Sequence, residues 1–482
     1  MFLNAAEATM DSNYKYLFPF EKVPKGAKIL IYGAGILGQE YLKQIRITNY
    51  CKVIGFVDKN FAEYKDSIVP VYAPDTVNEL EFDFMVVAIR SEVNFPEIKR
   101  ILYKQSVTDD KIICVLERIL LLSNEKKSNE DKNLPQLACN SEKISVALSM
   151  SGGLGDMVTY KRLIEELHLM LPHVFMDIFT VGNKDFAIWL YSEEYYVKNI
   201  MYDLGNRYND NREKYSLALS FIGSGFLTVD YVNENDFSEN RTFLDRINKL
   251  IERCKFENFN FSTPYAVMFY RRTYNKENCY TGFNYGDVFS IKDIRIKIPS
   301  PQTYIEQFRQ IGLQNYITIN TGNGTNKESI SVAKSWPASR FQEVVEMFKQ
   351  KYPNIKVVQI GLPDEPKLEG ADVYFMGKSF GLIAEILRNA IFHLDIEGGL
   401  VHLASQIGTK CIVLFGPTLT EYNAYDNNIN IKVGNCHGCY SLYLDNNRCA
   451  RNMKEPECMY SITPKIVMEC IDKYLEAIQC QK

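Results

Sequence analysis

Leu394-Asp395-Ile396-Glu397-Gly398-Gly399-Leu400-Val401-His402-Leu403-Ala404 is an apolar run broken by two glycines and resumed with helical spacing. A second run, Cys411-Ile412-Val413-Leu414-Phe415, ends in Gly416-Pro417-Thr418. Far upstream, Ile144–Met150 leads into Ser151-Gly152-Gly153-Leu154-Gly155-Asp156. Each break reads as a buried strand giving way to a helix or loop. Open α/β sheets bind ligands at such places, because helix N-termini present unpaired N–H groups to anions. Two of them in separate halves predict one phosphate-bearing ligand in a cleft between two α/β domains.

Working outward, Tyr316–Asn320, Lys356–Ile360, Ile391–Leu394 and Cys411–Phe415 alternate with helical stretches at Phe341–Lys351, Leu382–Asn389 and Val401–Gln406. That alternation predicts a doubly wound parallel sheet. The unit opening at Ile144 continues into a helix near Val158–Leu171, with Leu163, Ile164, Leu167 and Leu171 on one face. A third, smaller α/β unit is read from the strands Lys28–Tyr32, Val53–Val57, Asp83–Ile89 and Lys111–Leu116. The expected division is a tail (1–24), a Rossmann-like domain (25–123), a polar linker (124–142), two facing domains (143–312 and 313–465) and a terminal helix (466–482). Residues 205–310 are rich in Asn, Tyr and Phe, which suits sugar or peptide binding but also fits plain compositional bias.

The 482 residues suit about three domains. Apolar content of 46% and charged content of 24% belong to the soluble globular range. A net charge of −4 argues against a nucleic-acid partner. No apolar run reaches membrane-spanning length, and Met1–Asn13 does not read as a secretory signal, so a cytoplasmic location is expected.

Gly398 and Gly399 permit a tight turn and close approach of a phosphate, with His402 in the first helical turn. Glu397 is placed to accept hydrogen bonds from ribose hydroxyls, and Thr418 to donate one to a phosphate or base. Asp156 stands at a helix start, which favours its charged form; it becomes a good base only once bound substrate desolvates it. The bland alternative is a first-turn cap. Ile319-Asn320-Thr321-Gly322-Asn323-Gly324 ends another strand and is expected to line phosphates through its backbone.

Glu397–Thr418 resembles the nucleotide-binding signature of glycosyltransferase family 9, the ADP-heptose:lipopolysaccharide heptosyltransferases: an acidic residue, a glycine, a His-Leu-Ala helix start, and a strand ending in Phe-Gly-Pro-Thr. The resemblance spans roughly residues 143–470. Glu397 stands where the family more often has Asp, and Gly398 where a hydroxyl residue often follows. The resemblance implies a GT-B fold, two Rossmann-like domains facing a cleft. Gly152-Gly153-Leu154-Gly155-Asp156 resembles the family's N-terminal loop, which makes Asp156 the implied general base. Lys334-Ser335-Trp336-Pro337 is similar to its Lys-x-Trp-Pro segment, implying that Lys334 contacts the leaving diphosphate. The implied donor site is Gly153, Gly155, Thr321, Gly322, Lys334, Glu397, Gly398, Gly399, His402, Gly416, Pro417 and Thr418. No Asp-x-Asp motif is evident in these loops, so the expected reaction is a metal-independent inverting transfer. The donor would be a nucleotide-diphosphate sugar, ADP-heptose first, and the acceptor a hydroxyl of a bacterial surface glycan or a protein. A lipid-linked acceptor would bring peripheral association with the inner face of the plasma membrane.

Two motifs lie outside this set. Cys436, Cys439, Cys449 and Cys458, spaced C-x2-C-x9-C-x8-C, are expected to hold a structural Zn or Fe. Similar clusters occur in this superfamily, including protein heptosyltransferases with an iron-containing finger. Gly33-Ala34-Gly35-Ile36-Leu37-Gly38, with Asp58 at the end of the next strand, matches a dinucleotide-binding pattern through Gly33, Gly35, Gly38 and Asp58. It resembles the small Rossmann-like domain fused to sugar O-acyltransferases, which cradles a nucleotide-sugar. The rival readings are a non-catalytic nucleotide-sugar binder, an NAD-dependent sugar dehydrogenase or epimerase centred on residues 25–123, and a scaffold built around the cysteines.

Overall fold

The computed structural model of the chain describes residues 14–20, 22–64, 69–89, 94–114, 117–120, 144–203, 207–257, 265–322, 333–363, 365–440 and 449–480. The polar stretch read as a linker lies outside them, as do Asn323 and Gly324. Among the described residues, no helix is long and apolar enough to cross a membrane.

The N-terminal sheet is parallel, in the order β4-β3-β2-β5-β6, where β2 is Lys28–Tyr32, β3 Lys52–Val57, β4 Val71–Tyr72, β5 Phe84–Val87 and β6 Ile112–Ile113. Helix α1, Ile36–Thr48, follows the glycine loop. Part of the expected tail belongs to this unit. Strand β1, Tyr14–Leu17, pairs antiparallel with β7, Glu117–Leu120. Phe18 is buried against Tyr41 and Phe20 against Tyr50, and Phe18 N donates to Gln44 Oε1 at 2.6 Å. Two phenylalanines in seven residues carry too much apolar area to stay in water.

The middle sheet runs β10-β9-β8-β11-β12, with β8 Ser145–Met150, β9 Phe175–Thr180, β10 Val197–Tyr202, β11 Leu217–Gly223 and β12 Phe226–Val232. Only β12 is antiparallel, joined to β11 by the Ser224-Gly225 turn. Helix α2, Leu154–Met170, buries Leu163, Ile164 and Leu167 against the sheet, as their spacing predicts.

The C-terminal sheet is wholly parallel, in the order β15-β14-β13-β16-β17-β18. Its strands are β13 Tyr316–Ile319, β14 Lys356–Gly361, β15 Val373–Met376, β16 His393–Ile396, β17 Cys411–Leu414 and β18 Ile429–Ile431. Helices α3, Ala338–Lys351, and α4, Gly399–Ile407, follow two site loops, and α5, Pro464–Gln479, ends the chain.

Each strand order reverses once, and a cleft opens where two neighbouring connections diverge. The reversals fall between β2 and β5, β8 and β11, and β13 and β16. Gly33, Gly152 and Thr321 follow the first strand of each pair, and Glu397 follows β16. The two larger units face one another with α2 against α4. This is the GT-B arrangement, preceded by an additional small Rossmann-like domain. Hydrogen bonds bolt the halves together: Tyr280 and Tyr425 hydroxyls lie 2.5 Å apart, Tyr422 Oη donates to Ser224 O, and Gln406 Oε1 accepts from Ile296 N.

Candidate functional site

Helices α2 and α4 touch through their N-terminal turns. A Cβ on Gly399 would lie 2.6 Å from Leu154 Cβ and 3.1 Å from Gly155 N. One on Gly155 would lie 2.6 Å from His402 Cδ2. Glycine at both positions is what lets the two N-termini approach, concentrating unpaired N–H groups and two positive helix ends on one volume.

Asp156 caps its own helix: Oδ2 accepts from Gly153 N at 2.8 Å. Its other oxygen accepts from Ser224 Oγ at 2.8 Å, and Ser224 receives a hydrogen bond from Thr159 Oγ1 at 3.1 Å. Gly152, at φ 112°, gives the carboxylate room, since a Cβ there would fall 2.5 Å from Asp156 Oδ2. The carboxylate is therefore both a cap and an oriented, half-buried acceptor, near enough to Lys334 of the opposite domain to help raise its pKa.

Across the cleft, Lys334 Nζ lies 2.5 Å from Glu397 Oε2, and His402 Nε2 lies 3.8 Å from Glu397 Oε1. Burial pushes the Glu397 carboxyl up, but the Lys334 ammonium and His402 outweigh it and hold it down at about 2. Burial works against the Lys334 charge, yet Glu397, Tyr440 and Asp156 together raise its pKa. Trp336 fixes the start of this segment. It is buried, donates Nε1–H to Ile462 O at 2.9 Å, and meets Phe341 edge to face. His402 Nδ1 hydrogen-bonds Tyr425 Oη at 2.8 Å, and Gln406 Nε2 donates to Tyr280 Oη, so the imidazole is oriented by a chain that crosses the domain boundary.

Thr321 and Thr418 are fully buried, and among the described residues neither hydroxyl has a hydrogen-bond partner. Buried polar groups in folded proteins are nearly always paired, so these two hydroxyls, at the ends of β13 and β17, are free to take a partner. Gly322, at φ 67°, is turned by Asn320 Oδ1, which accepts its N–H at 2.6 Å. A Cβ on Gly322 would overlap Ile396, and one on Gly416 would overlap Met459. Gly398 is extended and open. Pro417 O accepts the Tyr440 N–H at 3.1 Å.

In the small domain, Gly33 has φ 104°, and a Cβ would lie 2.8 Å from Ala88 O. Gly38 packs on the Gly33 carbonyl, while Gly35 is open. Asp58 is turned onto the loop itself, accepting from Ala34 N at 2.8 Å and Asn60 N at 2.9 Å.

The four clustered cysteines line one cavity of about 310 Å³ together with Arg451 and, from the small domain, Lys25 and Thr48. Arg451 Nη1 reaches Cys436 Sγ at 3.8 Å. Among the described residues, however, no three His, Cys, Asp or Glu side chains are grouped so as to hold a metal ion. The spacing thus brings the four thiols around a common space.

Ser224, Tyr280, Tyr425 and Tyr440 were not singled out by sequence. Ser224 sits between two glycines after a strand, and Tyr440 directly follows Cys439, the only local signals available.

The family model described as C2185-like, N-terminal, matches residues 25–113. No curated protein matches the chain. Among solved structures the chain is similar to a glycosyl transferase family 9 protein from Veillonella parvula (15% identity, 72% of this chain and 100% of that one, TM-score 0.44). It is similar also to E. coli ADP-heptose lps heptosyltransferase II (14%, 70% and 99%, 0.43). A third is the dodecameric iron-containing heptosyltransferase TibC, from enterotoxigenic E. coli, in complex with ADP-D-beta-D-heptose (15%, 70% and 77%, 0.47).

Proposed function

We propose that the chain is an inverting glycosyltransferase that moves a sugar, heptose first, from a nucleotide-diphosphate donor to a hydroxyl of a bacterial surface glycan or protein. The observation that carries this reading is the meeting of two helix N-termini over one cleft, with Asp156 on one side and the Lys334–Glu397 pair on the other. In this reading the donor phosphates take the backbone N–H groups of α2 and α4 and the hydroxyls of Thr321 and Thr418. Glu397 receives ribose hydroxyls. Asp156 removes the acceptor proton as that oxygen bonds to the anomeric carbon. The bond from that carbon to the diphosphate oxygen breaks, and Lys334 neutralises the charge left on the leaving group.

The test is a thermal-shift panel of ADP-, GDP-, UDP- and CDP-sugars on the full chain, followed by donor consumption in the wild type and Asp156→Asn. A donor at about a hundred times its Kd adds roughly 2.7 kcal/mol of stability. Stabilisation by one donor, with turnover lost in Asp156→Asn, is expected; stabilisation by none refutes the reading. The non-catalytic alternative has one observation in its favour, the use of Asp156 as a helix cap. It is the correct one if the wild type binds donor and never consumes it in the presence of acceptor extracts.

The small domain, with Asp58 closing its glycine loop, is read as an accessory nucleotide-sugar or docking module; NAD in the same panel tests the dehydrogenase alternative. The cysteine segment is read as a Zn or Fe staple on the strength of four thiols lining one cavity. Elemental analysis of protein purified without chelator decides that point.

A further inference from the structure

The cysteine segment reaches further than the cavity it lines. Gly438 turns it at φ 79°, where a Cβ would overlap the Tyr270 hydroxyl, so the chain is pressed against the middle domain. Two residues on, Tyr440 is tied to the donor loop by its N–H to Pro417 O at 3.1 Å. Its ring lies over Lys334, with Nζ 4.1 Å from the centroid. The ammonium thus has two partners, the Glu397 carboxylate at 2.5 Å and an aromatic face. A lysine is a point charge on four rotatable carbons, and one carboxylate does not fix its direction. A ring as second partner does, and the attraction of a cation to an aromatic face is strengthened by burial.

We propose that Tyr440 is a positioning residue of the donor site, aiming Lys334 at the diphosphate, and that residues 436–440 are consequently a wall of the catalytic cleft. The inference rests on the donor-cleft reading above. It does not depend on whether the cysteines hold a metal.

The experiment is calorimetric titration of the full chain with ADP, GDP, UDP and CDP, continued with whichever binds the wild type most tightly. The variants are Tyr440→Phe, Tyr440→Leu, Lys334→Met and the double variant Tyr440→Leu/Lys334→Met. Tyr440→Phe is expected to bind within about two-fold of wild type, because the ring is kept. Tyr440→Leu is expected to weaken binding about 2- to 30-fold. In the Lys334→Met background, Tyr440→Leu should change nothing further, since the ring then has no cation to hold. Equal losses in both backgrounds, no loss in Tyr440→Leu, or a loss in Tyr440→Phe matching that in Tyr440→Leu would each overturn the proposal. If the leucine variant loses its thermal transition, Tyr440→Met carries the same comparison without a ring. A wild type that binds none of the four diphosphates fails differently: it refutes the donor cleft itself.

Discussion

Glu397→Gln separates the buried ion pair from the rest of the site. The Glu397 side chain is 7% exposed and that of Lys334 21%, so solvent screens the pair only weakly. Folding lowers the Glu397 carboxyl from 4.5 to about 2, a difference worth about 3 kcal/mol at neutral pH. Removing the carboxylate also strands a buried ammonium, and breaking a pair in this way costs about 3–5 kcal/mol. At about 2–4 °C per kcal/mol for a unit of this size, the melting midpoint should fall by about 6–20 °C at pH 7. The sign with pH follows from the depressed pKa. The carboxylate's contribution is complete above 4.5 and is lost as pH falls through about 2, so wild type and variant should converge across that window. Adding Lys334→Met should restore most of the lost stability, because the two changes together leave no buried charge. Differential scanning calorimetry of the three proteins between pH 3 and 7 reads all of this. A fall below about 2 °C at pH 7, or a gap that does not narrow on acidification, would mean that the pair is solvated and the argument wrong.

Ser224→Ala removes the hydrogen bond to Asp156 Oδ1; turnover should drop about 10- to 100-fold with the donor-induced thermal shift unchanged, as measured by nucleoside-diphosphate release. Thr418→Val replaces an orphan buried hydroxyl by a methyl. The free protein should become more stable by about 1 kcal/mol while the donor-induced shift shrinks, and a variant less stable without ligand would mean that the hydroxyl is already paired. Gly155→Ala places a Cβ 2.6 Å from His402 Cδ2; the halves should part, donor stabilisation should vanish, and small-angle scattering should report a larger radius of gyration.

The loops that sequence identified share one property: each is a local signal, glycines directly after a strand. Gly33, Gly152, Thr321 and Glu397 all fall beside a reversal of strand order, which is where such signals carry meaning. What was not legible depends on tertiary approach. Ser224 is 68 residues from the carboxylate it orients, and a serine between glycines looks like any hairpin. Tyr425 reaches His402 only because the two domains close, and Tyr440 reaches Lys334 only because Gly438 turns the chain. The packed aromatic residues before Lys22 went unrecognised because a seven-residue segment has no periodicity of its own; its order comes from pairing with Glu117–Leu120, about a hundred residues later.

The cleft itself holds two carboxylates where two helix N-termini converge. Aimed N–H groups and like-signed helix ends are costly to leave facing one another, and Asp156 and Glu397 offset that cost. They differ in how they are held. Asp156 is bound by one backbone N–H and one serine, contacts that leave it oriented toward the opposite domain. Glu397 is bound by a lysine that a diphosphate also attracts. On the proposed reading, an arriving diphosphate competes for Lys334 and leaves Asp156 in place, and Glu397 is released to other donors, such as hydroxyl groups on the same ligand. On that reading the division of labour between base and binding residue follows from which contacts an anion can displace, and glycine at 155 and 399 keeps the helix ends close, since a Cβ at 399 would meet Leu154 and one at 155 the His402 ring.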